Sequence, residues 1–76
     1  MTQEELKTIA STVAAEMKSA GDSLSPDLRA AFIDVRTALF QRGVFDPVLV
    51  RFDSATAPKA SVAEIAAQLE SVAASL

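Results

Sequence analysis

Histidine, cysteine, tryptophan and tyrosine are all missing from these 76 residues. Without His the chain lacks the commonest general base at neutral pH and the commonest metal ligand. Without Cys it has neither a disulfide framework nor a thiolate site, so zinc and iron centres are not expected. A core this small then stands on packing alone or on oligomerisation, and we expect oligomerisation. Positive charge is also short: seven Lys and Arg face ten Asp and Glu, for a net charge of −3. That balance argues against a phosphate-backbone footprint, because non-specific nucleic-acid affinity comes from clustered Lys and Arg. No apolar run approaches the roughly 20 residues needed to span a bilayer. The start, Met1 to Glu5, is acidic where a secretory signal is basic and then apolar. A cytoplasmic protein without cofactor and without nucleic-acid, membrane or metal partners is the expectation.

Half of the residues are apolar, but fifteen are Ala, which leaves twenty-three larger ones to fill a core. Ala favours helix and lets backbones approach closely, so a thin bundle suits this composition better than a sandwich. The chain is long enough for one domain, 1–76, and too short for two. The expected fold is all-α: a small four-helix bundle with three longer helices and one short one, at about 3–20, 26–42, 47–53 and 62–75.

The local signals for these helices are explicit. Thr2 and Glu5 have capping-box spacing, and Leu6, Ile9, Ala10, Val13, Met17 and Ala20 then recur at three and four to give an amphipathic first helix that Gly21 ends. Ser25 with Pro26 in the first turn opens the second, whose main apolar face is Leu28, Ala31, Phe32, Val35, Ala38 and Leu39, with Gly43 as its stop. Asp46-Pro47 repeats the cap-plus-proline signal for a short third helix, although Val48 to Phe52 also has the composition of a strand. Ser54 to Ala60, with Pro58, reads as a loop. Ser61 and Glu64 form a second capping box, and Val62, Ile65, Leu69, Val72 and Leu76 trace an a/d seam flanked by Ala, for packing inside the chain or against another copy.

Catalytic constellations are harder to find. Asp27 and Asp34 stand among Arg residues on a regular helix, the pattern of a solvated face with local ion pairs, and no calcium-loop spacing occurs. Gly21-Asp22-Ser23-Leu24 spells the signature of a serine hydrolase family, whose serine needs an activating His that this chain lacks. Asp22-Ser23-Leu24 also resembles the modification site of acyl and peptidyl carrier proteins, where the tripeptide opens the second helix of a small acidic bundle. The resemblance implies phosphopantetheine on Ser23, with its phosphate near a helix N-terminus. The chain departs from that pattern twice: Ser23 follows the first helix almost directly, and the second helix carries Arg29, Arg36 and Arg42. The plain reading of the same residues is a capped interhelical turn. A small DNA-binding regulator, with the second and third helices as a helix-turn-helix, is a third reading that the acidic balance disfavours.

On the second helix, steps of about 100° per residue gather Arg29, Ile33, Arg36 and Phe40 on a stripe apart from the main apolar face. Arginine around aromatic and aliphatic side chains is the composition of interface centres. The alternative is a central helix that buries two faces. All four Arg lie between positions 29 and 51, so an acidic partner surface, or the Glu-bearing end helices of a second copy, would meet them. Val44 to Phe52 holds six large apolar residues in nine positions, to be divided between core and docking surface. The expected function is therefore a non-catalytic interaction or assembly module, self-associating or a subunit of a larger complex. Its candidate surface is Arg29, Ile33, Arg36, Phe40, Phe45, Leu49 and Phe52.

Overall fold

Every helix of this protein begins at a side-chain oxygen that the sequence puts in place. The computed structural model describes residues 2–21, 23–52 and 61–76. Its elements are α1 (Gln3–Ala20), α2 (Pro26–Gln41), α3 (Pro47–Val50) and α4 (Val62–Ser75), with no strand among the described residues. The protein is a small all-α bundle. Thr2 Oγ1 accepts from the Glu5 backbone N–H at 3.1 Å, and its hydroxyl donates to the Glu5 carboxylate at 3.2 Å. Ser25 and Ser61 accept from Leu28 N–H and Glu64 N–H, each at 3.2 Å. Asp46 Oδ1 accepts from Val48 N–H at 2.9 Å and Leu49 N–H at 3.4 Å. Each cap satisfies donors that a helix start otherwise leaves orphaned.

The first two helices end at glycines. Gly21 has φ 70° and ψ −136°, a pairing that residues with a Cβ rarely adopt. At the end of α2, Gly43 (φ 81°) donates to Phe40 C=O at 3.0 Å and Val44 donates to Leu39 C=O at 2.9 Å. This pair of bonds is a Schellman motif, and it stops α2 at Gln41, one residue short of the expected 42.

The third helix is shorter than the sequence suggests. It ends at Val50, where 47–53 was expected; Arg51 and Phe52 form a turn instead, and Asp53 lies outside the described residues, as does the expected loop at 54–60. Arg51 N–H donates to Val48 C=O at 3.1 Å and Phe52 N–H to Leu49 C=O at 3.4 Å. Such tightened bonds eclipse side chains three apart. Leu49 and Phe52 accordingly share one direction, and both are buried. An apolar segment that would scatter its side chains around a regular helix thus sends two large ones inward.

Packing follows from these starts and stops. The most extensive helix pair is α1 with α4, which run antiparallel. Gln3 Nε2, at the beginning of α1, donates to Leu76 C=O after α4, and Lys18, near the end of α1, is ion-paired with Glu70 further back along α4. Their buried faces comprise Leu6, Ala10, Val13, Ala14 and Met17 on α1 and Ile65, Ala66, Leu69 and Ala73 on α4. Two expected α1 core positions lie outside this face: Ile9 is 38% exposed and Ala20 is exposed, because the face centres on Leu6, Ala10 and Met17 and leaves Ile9 at its rim. The α4 seam is packed within the chain, with Ile65 and Leu69 fully buried and Val62, Val72 and Leu76 partly so.

Helix α2 lies against α1 and contributes Phe32, Val35 and Leu39 to the core. It scarcely approaches α4; α3 and the turn after it bridge the two. Gln68 Nε2 of α4 donates to Asp46 Oδ2 at 2.6 Å, so one carboxylate both caps α3 and fastens it to α4.

Two outcomes test this packing. Leu69 is wholly buried. Leu→Ala at such a site removes about 2–5 kcal/mol, from a domain holding only about 5–15, and Leu69→Glu adds an unpaired buried charge. Circular dichroism of Leu69→Glu at 25 °C should show an unfolded chain. Asp46→Ala, which loses the α3 cap and the bond to Gln68, should lower stability by about 1–3 kcal/mol in urea denaturation.

Candidate protein interaction surface

The stripe of α2 and the segment after it form a single surface, divided between internal and external use. Arg29 is exposed, and its guanidinium lies 4.8 Å from the centroid of the buried Phe52 ring. Phe52 in turn meets Phe32 with ring centroids 4.7 Å apart and planes tilted by 52°. Arg36 is half-buried; Nη1 donates to Leu49 C=O at 3.4 Å, and the guanidinium stands 5.9 Å from the Phe32 ring centroid. Both arginines thus cover the aromatic pair that closes α3 onto α2, through cation–π contacts and one backbone bond.

Ile33 is half-buried at the margin of the core. Phe40 is also half-buried, and beyond it the Schellman turn brings the chain back so that Phe45 meets Phe40 with centroids 5.3 Å apart and planes tilted by 33°. Phe45 is 73% exposed. An aromatic pair whose outer ring faces water is the opposite of the Phe32–Phe52 pair, where both rings are hidden.

The candidate residues therefore separate. Phe40 and Phe45 meet at the end of α2 and the turn after it, and Ile33, two turns earlier on the same side of α2, is half-buried against the core. Leu49 (1% exposed) and Phe52 (8% exposed) belong to the core of the single chain, for the eclipsing reason given above. Two exposed apolar residues were not among the candidates: Val50, 44% exposed, and Ile9 on α1. The spacing of Val48, Leu49 and Val50 signals that one of the three must face outward, whereas Ile9 fits the apolar period and gives no warning.

The remaining chemical candidates are placed as follows. Ser23 is exposed, in the irregular segment ahead of α2, and the helix opens three residues later with Ser25, not Ser23, as its cap; Asp22 is outside the described residues. The third helix is one turn long, with Leu49 buried and Pro47 and Val50 exposed. Among the described residues, no three His, Cys, Asp or Glu converge on a point suited to a metal ion, and no helix is long and apolar enough to cross a membrane. The hollow along α1, lined by Gln3, Glu4, Lys7, Thr8, Ser11, Thr12 and Leu76, is open, and the Thr8 and Thr12 hydroxyls there donate to Glu4 C=O and Thr8 C=O within the helix.

Comparison with known proteins adds no relative: the chain matches no described protein family, no curated protein and no solved structure.

The division between the two aromatic pairs has a direct consequence for stability. Phe52→Ala should cost the monomer about 3–5 kcal/mol. Phe45→Ala should change it by less than about 0.5–1 kcal/mol. Urea denaturation at concentrations where the chain is monomeric distinguishes the two, and equal losses would show that Phe45 is held in the core.

Proposed function

We propose that this protein is a non-catalytic interaction module that self-associates through the patch of Ile33, Phe40 and Phe45, with Arg29 and Arg36 at its border. The observation that carries the proposal is Phe45: a phenylalanine 73% exposed, tilted against a second ring that is itself only half covered. Removing an exposed aromatic ring from water contributes about 25 cal/mol per Å², and Phe side chains present about 150–250 Å² each. The arrangement also has the form of an interface centre, where aromatics and Arg are enriched and Lys and Glu depleted. The absence of His and Cys supports the non-catalytic part, since the chain has few groups suited to proton transfer or covalent chemistry at neutral pH.

Sedimentation equilibrium over a wide concentration range tests this directly. The unmodified chain should associate, and Phe45→Glu should weaken association by about 30-fold or more, the loss typical of a central aromatic contact. Phe40→Glu should do the same, with helical content retained in both variants by circular dichroism. A chain that stays monomeric up to about millimolar concentration, the range of very weak contacts, contradicts the proposal.

A further inference from the structure

We infer that the segment 45–52 is a strap that opens as a unit while the three longer helices stay packed, and that its closure, latched by Asp46 on Gln68, assembles the exposed surface of Phe40 and Phe45. The role of that surface rests on the self-association proposed above; the opening itself does not. The helix arrangement makes the strap separable. Helix α1 packs against α4 and against α2, so both pairs persist without α3, whereas α2 scarcely approaches α4 and is joined to it through the strap. The strap's order is borrowed from its neighbours. A helix of one turn, Pro47–Val50, fixes several residues for few bonds of its own, and a nucleus of that size is unfavourable in isolation. What holds it includes Leu49 and Phe52 in the core, Phe52 against Phe32, and Gln68 Nε2 on Asp46 Oδ2 at 2.6 Å. Elements that depend on outside contacts in this way open locally, ahead of the rest of a fold.

Asp46 connects this opening to the exposed rings. Its backbone is extended (φ −119°, ψ 121°), and along an extended chain consecutive side chains point to opposite sides. Asp46 is half-buried and turned toward α3 and α4, where Oδ1 accepts from Val48 and Leu49 N–H and Oδ2 from Gln68. Phe45, the residue before it, points outward, 73% exposed, and meets Phe40. One carboxylate thus fixes the direction of the neighbouring ring. Upstream, Val44 N–H is bound to Leu39 C=O at 2.9 Å, so the strap pivots after Val44 and carries Phe45 with it. Opening parts Phe45 from Phe40 and dismantles the surface. A second copy that covers the paired rings binds only the closed state, and by linkage its binding holds the strap shut. Asp46 and Gln68 are positioning residues, which act on the surface without touching the partner.

Native-state hydrogen exchange read by NMR, with sedimentation on the same samples, tests the inference. In dilute, monomeric protein the hydrogen-bonded amides of residues 48–52 should share one opening constant, at least about tenfold larger than that of the slowest amides of α1 and α4. Ala15 is exposed on α1, outside the strap. Ala15→Gly, which weakens α1 alone, should therefore speed the slowest amides about fivefold and leave the strap amides unchanged. Strap amides that accelerate by the same factor exchange only through global unfolding, and the inference is overturned. Gln68→Ala, which keeps α4 helical and removes the latch, should speed the strap amides about fivefold, the worth of one net hydrogen bond. No change there would show that Asp46 and Gln68 do not hold the strap. At concentrations where sedimentation shows association, exchange of the strap amides should slow severalfold further. Unchanged exchange in the associated state would show that the strap opens within the complex and overturn its role in building the surface. A chain that never associates removes the proposed function and that role together, while the opening is still decided by the exchange rates of the dilute protein.

Discussion

The closeness of α1 and α4 governs the rest of the molecule. Ala10 and Ala14 on one helix and Ala66 and Ala73 on the other are fully buried, and small residues at a helix contact allow the axes to approach. An interior bounded by these two helices is narrow. Leu6, Met17, Ile65 and Leu69 from these helices fill it together with Phe32, Leu39, Leu49 and Phe52 from α2, α3 and the turn beyond. Phe40 and Phe45, displaced around and beyond the end of α2, are left at the margin. The exposed aromatic surface is thus a consequence of how the core is filled.

The same geometry gives Arg29 and Arg36 two duties. Their guanidiniums lie over the rings that join α3 to α2, and Arg36 also satisfies a carbonyl in α3. A Lys at either place would keep the charge but lose the flat surface that rests on an aromatic face. These contacts hold both guanidiniums at defined places over the Phe32–Phe52 pair.

Much of this was legible in the letters. Thr2, Ser25, Asp46 and Ser61 were readable as helix caps, Gly21 and Gly43 as stops, and the spacing of Leu6, Val13 and Met17, or of Ile65 and Leu69, as buried faces. These are local matters: a hydroxyl three residues ahead of an amide, or a period near 3.6, acts over one or two turns whatever else surrounds it. The stripe on α2 was visible for the same reason, as a set of residues sharing one side of a helix.

What became of that stripe was decided only in three dimensions. Phe52 and Phe45 are both phenylalanines in one apolar segment, yet a tightened turn takes Phe52 into the core against Phe32, and the Schellman turn leaves Phe45 outside against Phe40. Ile9 keeps the helical period and still reaches solvent, because a face can be covered only as far as its neighbours extend. The sequence by itself determined where helices begin and end, which side of each is apolar, and which catalytic chemistries lack their usual side chains. The tertiary structure allotted the large apolar residues between interior and surface, since burial depends on the sum of all neighbours and not on any one residue's own preference.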